Sequence, residues 1–248
     1  MPLLDWVTDP AILASLVTLT AMEIVLGIDN IIFISIIVGR LPPQEGKRAR
    51  QIGLALALIF RVALLSLIFV LIGLTQPLFT LFGHGYSIRD IILLAGGLFL
   101  IVKATREIHQ DVEGQPHEGD AHASVKFGAI VAQIIVIDIV FSIDSIITAV
   151  GMAEYLAVMI AAVVLAVGVM YAASGAVSGF IERHPTTRML ALSFLLMIGF
   201  ALIADAAGFH IPRAYLYTAM AFSTAVEVLN VLAGRNRKGR RGPKLGAD

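Results

Sequence analysis

The sequence predicts an all-α membrane protein with seven transmembrane helices. Of its 248 residues, 58% are hydrophobic and only 15% are charged, and the mean hydropathy is +0.89. A soluble domain of this length needs far fewer apolar residues. The apolar residues fall into seven runs, most of them near the ~20 residues that a spanning helix requires. These runs are Ala11–Val38, Ile52–Thr75, Ile88–Val102, Val125–Gly151, Tyr155–Ile181, Met189–Ala204 and Tyr215–Ala233.

The first run is predicted to be a retained span, because no short apolar segment with a small-residue cleavage site precedes it. The third and sixth runs are shorter than the others. Lys103 and Arg188 flank them, and both side chains are long enough to reach the membrane surface from a buried helix end. All seven runs are therefore interpreted as spans.

The basic residues predict the orientation. Alternate threading of seven spans puts only Arg89 and Arg213 on one side, whereas fifteen Lys and Arg residues fall on the other. The positive-inside rule places the richer side in the cytoplasm, with the N-terminus outside and the C-terminus inside. The fifteen are Arg40, Lys47, Arg48, Arg50, Lys103, Arg106, Lys126, Arg183, Arg188, Arg235, Arg237, Lys238, Arg240, Arg241 and Lys244.

A ten-residue motif occurs twice, at Glu23–Ile32 and at Asp138–Ile147. Six of the ten positions are identical, and both copies have an acid at the first and seventh places. The copies lie on the first and fourth spans, which run in opposite directions, so the repeat is inverted. We expect one transmembrane domain over 1–248. It consists of a first repeat over about 11–104, a cytoplasmic loop over about 105–124, a second repeat over about 125–206, a seventh helix over about 213–233 and a basic tail over 234–248.

Acids at membrane depth indicate a functional site, because a carboxylate at the centre of a spanning helix costs about 2.5 to 3.5 kcal/mol on insertion scales. The motif offers oxygen ligands from both halves. The chain has no cysteine, so the donor set favours Mn2+, Mg2+ or Ca2+ over Zn2+ or Cu+. The predicted metal ligands are Glu23, Asp29, Asn30, Asp138, Asp144 and Ser145.

A regular helix cannot aim both acids of one motif at the same ion, since residues six apart lie about 120° apart around the axis. Gly27 and Ser142 stand between the acids of the two copies. We therefore expect both motif helices to be interrupted there, which would also free backbone carbonyls as ligands.

Three further polar residues lie at membrane depth, namely Arg61, Glu227 and Asn230. Arg61 is interpreted as a counter-ion to one acid. Glu227 is interpreted either as a polar contact between packed helices or as a residue that relays or gates the ion. Asp90 and Asp205 are expected at the outer helix ends, away from the site. Five buried acids then face one arginine, and a divalent cation with bound protons would offset the excess.

The predicted cytoplasmic loop contains His109, His117 and His122 among five acids. It is interpreted as a solvated connection, because the spacings match no structural metal motif, although loose metal capture stays open. The basic tail is typical of anchoring beside anionic lipid and does not by itself indicate nucleic-acid binding.

The strings EIVLGIDNIIF, DIVFSIDSIITAVGM, ERHP, ALSFLLMIGF and FHIPRAYLYTAMAFSTAVEVLN resemble the TerC family of bacterial inner-membrane proteins, and the likeness extends over nearly all of the spans. The resemblance implies an inverted three-helix repeat, as in LysE-type exporters, and a role in tellurium resistance, manganese efflux or metal supply to exported enzymes. It implies Mn2+ as the transported ion, with no resident cofactor, and a location in the inner membrane. The resemblance implies that the family's acidic motif corresponds to Glu23, Asp29 and Asn30 in the first copy and to Asp138, Asp144 and Ser145 in the second.

Other functional classes fit less well. An intramembrane aspartyl protease would need a Gly-x-Gly-Asp signature, which is absent. A retinal protein would need a lysine in the last span, which has none. We expect no enzyme activity. A non-transporting partner of a stress or secretion complex is the remaining alternative. The expected partners are a divalent ion, the lipid bilayer and either a second copy of the chain or the secretion machinery.

Overall fold

Helices make up nearly all of the structure. The computed structural model describes residues 9–81, 84–113, 127–150 and 155–240. The elements of these residues, in chain order, are α1 Pro10–Leu26, α2 Ile28–Val38, α3 Pro43–Ser66, α4 Ile68–Gly73, β1 Pro77–Leu81, β2 His84–Ser87, α5 Ile88–Glu113, α6 Phe127–Val150, α7 Leu156–Arg183, α8 Pro185–Ala206 and α9 Arg213–Arg240.

The helices begin at local sequence signals. Asp9 caps α1 by accepting a hydrogen bond from the Ala11 N–H at 2.9 Å, and proline opens α1, α3 and α8, where its missing N–H has no partner to lose. At α5, Ser87 and Asp90 form a reciprocal cap: the Ser87 N–H donates to Asp90 Oδ2 at 2.8 Å, and the Asp90 N–H donates to Ser87 Oγ at 3.2 Å.

Five helical stretches among the described residues are long and apolar enough to cross a membrane: Pro10–Val38, Pro43–Ser66, Phe127–Ile147, Leu156–Arg183 and Pro185–Ala206. The chain is therefore an all-α membrane protein. Helices α5 and α9 are also long, but α5 contains Arg89, Asp90 and Lys103, and α9 contains Glu227 and Asn230, which lower the hydropathy of their apolar stretches.

Two features of the connections differ from the sequence prediction. A short antiparallel hairpin, β1–β2, precedes α5, with the rings of Phe79 and Tyr86 stacked at 5.4 Å; the sequence did not predict these strands. Helix α5 continues to Glu113, so the first part of the predicted hydrophilic loop is helical. Residues 114–126, with His117 and His122, lie outside the described residues.

Close helix packing forms the interior. Helix α5 packs most extensively on α8, α3 on α6, and α1 on α7. Small residues lie at the tightest helix crossings. This is usual in membranes, where helices associate by close packing because the hydrophobic effect does not drive their association in lipid. Most of the buried apolar side chains of α2, α5 and α8 belong to one large cluster, most of those of α7 belong to a second one with Leu19 of α1, and α6 contributes to both.

Candidate functional site

Arg61 lies near the end of α3 and joins acids from the two motif copies. Its Nη1 donates to Glu23 Oε2 on α1 at 2.8 Å, and its Nη2 donates to Asp138 Oδ1 on α6 at 3.0 Å. The Arg61 Nε donates to the hydroxyl of Ser142 at 3.0 Å. All four residues are buried, so one guanidinium balances two carboxylates that would otherwise repel each other in a medium of low dielectric constant.

Asn30 ties the first motif to the second. Its Nδ2 donates to Asp138 Oδ1 at 2.9 Å, and the hydroxyl of Ser142 donates to the other oxygen of Asp138 at 3.3 Å. Glu23, Asn30 and Asp138 therefore meet at one place, around the Arg61 guanidinium. A metal ion at this place would compete with the Arg61 guanidinium for the carboxylate oxygens of Glu23 and Asp138.

The prediction that both motif helices are interrupted is wrong for the second copy. In the first copy the irregularity is confined to Gly27, where α1 ends and α2 begins. The Gly27 N–H still donates to the Glu23 carbonyl at 2.9 Å, and the Gly27 carbonyl still accepts from the Ile31 N–H at 3.1 Å. A Cβ on Gly27 would overlap the Sδ of Met170 on α7, so a larger residue here requires the buried methionine side chain to move. Helix α6 runs through Ser142 without a break, and the Ser142 hydroxyl accepts from Arg61 Nε and donates to Asp138.

Asp144, the second acid of the second motif, is held by two arginines from outside the motif. Arg89, at the start of α5, donates to Asp144 Oδ1 at 2.5 Å. Arg213, the first residue of α9, donates to Asp144 Oδ2. Both carboxylate oxygens thus accept a hydrogen bond from a guanidinium, and charge-assisted bonds of this kind are among the strongest in proteins.

These arginines also bring Asp90 and Asp205 into the site. Arg213 Nη2 lies 3.6 Å from Asp205 Oδ2, and Arg89 Nη1 lies 3.7 Å from Asp90 Oδ1. Asp205 further accepts from the Ile211 N–H at 3.3 Å. The prediction that both aspartates lie away from the site is wrong. So is the prediction that Arg61 alone faces the acids.

Asp29 is the acid with a free oxygen. It is 2% exposed, and within the described part of the chain its Oδ1 has no hydrogen-bond partner. It lines a small cavity together with Asp144, Ser145 and Tyr217, with room for about one water-sized particle. Arg61 and Arg213 form part of the same wall, so this cavity lies between the two arginine-centred groups.

The predicted ligands are therefore divided between two places. Glu23, Asn30 and Asp138 surround Arg61, whereas Asp29, Asp144 and Ser145 line the cavity. In the part of the chain that the structure describes, no three acidic or imidazole side chains converge in a ready-made metal cage. Side chains of both motifs thus also meet at the cavity, and its acid Asp144 is already paired with two arginines.

Glu227 and Asn230 lie apart from these acids. The hydroxyls of Thr186 and Thr187, at the start of α8, donate to Glu227, and Asn230 is exposed. Glu227 is 14 residues after Arg213 on α9, which is about 21 Å along a helix. Its contacts link α9 to α8.

Arg89, Arg213, Tyr217 and Met170 were not among the residues predicted for the site. One signal was present in the sequence: Arg89 and Arg213 are the two basic residues that the positive-inside count left on the outer side. Both end on the same buried acid, which accounts for their position. Met170 and Tyr217 have no comparable signal, because an apolar or aromatic residue in a spanning helix is ordinary.

Comparisons with known proteins relate the chain to a family of integral membrane proteins. Residues 8–242 match the model of the integral membrane protein TerC family. The UPF0053 inner membrane protein YgdQ of Escherichia coli is 52% identical over 236 residues, which cover 95% of this chain and 98% of the relative. A UPF0053 protein of Haemophilus influenzae is 50% identical, covering 94% of this chain and 99% of the relative.

A longer relative, the UPF0053 inner membrane protein YoaE of Escherichia coli, is 50% identical over 94% of this chain, which corresponds to 45% of the relative. No solved structure matches the chain significantly.

Proposed function

The chain belongs to the TerC family of integral membrane proteins, and on that premise we propose that it exports a divalent metal ion, Mn2+ before Ca2+ or Mg2+, from the cytoplasm. It is a multi-pass protein of the bacterial inner membrane. The ion is the transported substrate and not a resident cofactor. The preference for Mn2+ comes from the family resemblance, since oxygen ligands by themselves suit all three ions.

One observation carries the proposal. Asp29 is buried in a spanning stretch, has an oxygen without a partner and faces a cavity shared with Asp144 and Ser145. Leaving a buried carboxylate oxygen without a partner is unfavourable unless something binds there. Intramembrane acids that line a cavity are typical of ion pathways.

Two groups of ion pairs support seven crossings. Arg40, Glu107 and Arg188 meet at one end of the helices. Their positions at the end of α2, near the end of α5 and at the start of α8 agree with alternate threading. At the other end, Arg89 and Arg213 begin α5 and α9 and meet the C-terminal half of α6. We therefore propose that α5 and α9 also cross the membrane, with the first group in the cytoplasm.

Paired contacts support the inverted repeat. Gly27 and Ser142 occupy the same motif position; Gly27 packs on Met170 of α7, and Ser142 bonds to Arg61 of α3. Exchanging the two halves therefore maps the α1–α7 contact onto the α6–α3 contact. We propose two units of three spans, α1–α2, α3 and α5, then α6, α7 and α8, with α9 added.

Export must be coupled to an energy source. Moving a divalent cation outward against the membrane potential costs about 4.6 kcal/mol per 100 mV, twice the value for one charge. The buried acids can bind protons from the outer face as the metal leaves, so we propose Mn2+/H+ exchange. A second copy of the chain or the secretion machinery remains a proposed partner.

Transport into inverted membrane vesicles tests the proposal. Vesicles containing the purified chain should accumulate Mn2+, and Asp29→Asn and Asp144→Asn should each reduce the rate to that of empty vesicles at equal protein content. Asp111→Asn is the matched control, because Asp111 pairs with Arg188 at the other end of the helices; it should transport normally. Full transport in both test variants would move the site elsewhere, and no transport by the wild type would favour a non-transporting membrane partner.

A further inference from the structure

We propose that Arg89 and Arg213 are tethered cations that hold Asp144 when no metal is bound and move to Asp90 and Asp205 when a metal ion takes their place. The inference rests on the proposed transport of a divalent ion. It adds a role for four residues outside the repeated motif and assigns them to the selection and release of that ion.

The arginines occupy the atoms that a metal ion needs. Arg89 is on one oxygen of Asp144, and Arg213 is on the other. A divalent cation coordinated by this carboxylate would bring its charge within a few ångströms of two guanidinium groups, which is strongly unfavourable at low dielectric constant. At least one arginine must leave before the ion binds.

Each arginine has a second acid within reach. Arg213 lies 3.6 Å from Asp205, and Arg89 lies 3.7 Å from Asp90. Asp205 and Asp90 are themselves held in place, the first by the Ile211 N–H and the second by Ser87. A small change of side-chain rotamer would transfer each guanidinium from Asp144 to its own neighbouring acid without leaving either charge unpaired.

The arginines are also free to move. Each begins or nearly begins its helix, and their side chains are about one-fifth exposed, Arg89 at 21% and Arg213 at 20%. Arg61, in contrast, is 3% exposed and fixed by three hydrogen bonds to side chains of α1 and α6. The cations that can move are therefore those at Asp144.

The formal charges match one divalent ion. Apart from the exposed His210 and from Arg61, which pairs with Glu23 and Asp138, the aspartates Asp29, Asp90, Asp144 and Asp205 and the two arginines together carry two formal negative charges. One divalent cation cancels this excess, whereas a monovalent cation leaves half of it. The return of the arginines to Asp144 would then displace the ion, which favours its release and prevents its re-entry from the same side.

Binding of Mn2+ alone to purified protein, followed by electron paramagnetic resonance, tests the inference. Arg213→Gln removes the competing cation and should tighten the apparent Kd for Mn2+ about tenfold, equivalent to about 1.4 kcal/mol. Asp205→Asn removes the alternative acceptor, keeps Arg213 on Asp144 and should weaken binding. Arg213→Lys keeps the charge and should lie close to the wild type.

Tighter Mn2+ binding by Arg213→Gln together with weaker binding by Asp205→Asn distinguishes competition from a structural role. Loss of a structural ion pair would weaken binding in both variants. Arg188→Gln is the matched control, because it removes an arginine from acids at the other helix ends and should leave the Kd unchanged. Arg89→Gln gives a second reading if Arg213→Gln does not fold. If the wild type binds Mn2+ and the folded Arg→Gln variants bind it equally or more weakly, the inference is wrong. If neither the wild type nor these variants bind it, the proposed metal transport fails and the inference fails with it.

Discussion

Gly97 of α5 and Gly199 of α8 contact each other reciprocally. A Cβ on Gly97 would lie 2.7 Å from the carbonyl oxygen of Gly199, and a Cβ on Gly199 would lie 3.0 Å from that of Gly97. Each glycine also faces the isoleucine four residues beyond its partner, Ile203 and Ile101 respectively. Because the residue numbers rise on one helix as they fall on the other, these contacts describe an antiparallel crossing with twofold pseudosymmetry.

Substitution of Gly199 by alanine should therefore separate α5 from α8. We expect a loss of about 1–3 kcal/mol, the usual range for overpacking a close contact, seen as a lower melting temperature of the protein in detergent. Gly168→Ala is the control, because nothing lies within 4 Å of a Cβ at Gly168. Equal melting temperatures for the two variants would show that the crossing can relax.

Loss of the Arg61 charge should destabilise the protein. Arg61→Gln leaves Glu23 and Asp138 buried without their common counter-ion, and breaking a buried pair in this way costs about 3–5 kcal/mol. Thermal unfolding measures the loss, with Arg48→Gln, an exposed arginine on the same helix, as control. The triple variant Arg61→Gln, Glu23→Gln, Asp138→Asn should recover stability, and failure to recover would mean that charge is not the cause.

Gly27→Ala should disturb the contact between α1 and α7, since the new methyl group would collide with the Sδ of Met170. We expect lower thermal stability and slower Mn2+ transport. The added substitution Met170→Ala removes the colliding atoms and should restore part of both. A double variant no better than Gly27→Ala would place the requirement for glycine in the backbone at this position.

The absence of cysteine allows a direct test of the seven crossings. Single cysteines at Gln76 and Phe209 should react with a membrane-impermeant maleimide in intact spheroplasts, whereas those at Gln44 and Glu113 should react only after permeabilisation. All four side chains are exposed. If Gln44→Cys and Glu113→Cys differ in accessibility, the number of crossings between them is odd and the proposed threading is wrong.

Proton coupling predicts a response to the pH gradient. In inverted vesicles, whose interior corresponds to the outside of the cell, an acidic interior should accelerate Mn2+ accumulation while the voltage is clamped, because protons bind the buried acids as the metal leaves. Asp144→Asn vesicles are the control for passive leak. A rate that does not depend on the gradient would leave a channel as the better mechanism.

The sequence by itself determined the membrane class, the positions of the long helices and the placement of paired acids at membrane depth. These depend on local properties: apolar run length, the count of basic residues and the identity of two short segments. The irregularity at Gly27 also coincides with a local feature, a glycine between two acids. The TerC family assignment rests on segments spread over most of the chain.

Only the tertiary structure decided which cation each acid meets. Arg61 is 38 residues from Glu23 and 77 from Asp138, and Arg213 is 69 from Asp144. Such pairs form because helix packing brings distant residues together, and a carboxylate in a medium of low dielectric constant takes whichever guanidinium can reach it. The same cause gives the Ser142 hydroxyl one partner from another helix, Arg61 of α3, which its sequence neighbours do not indicate.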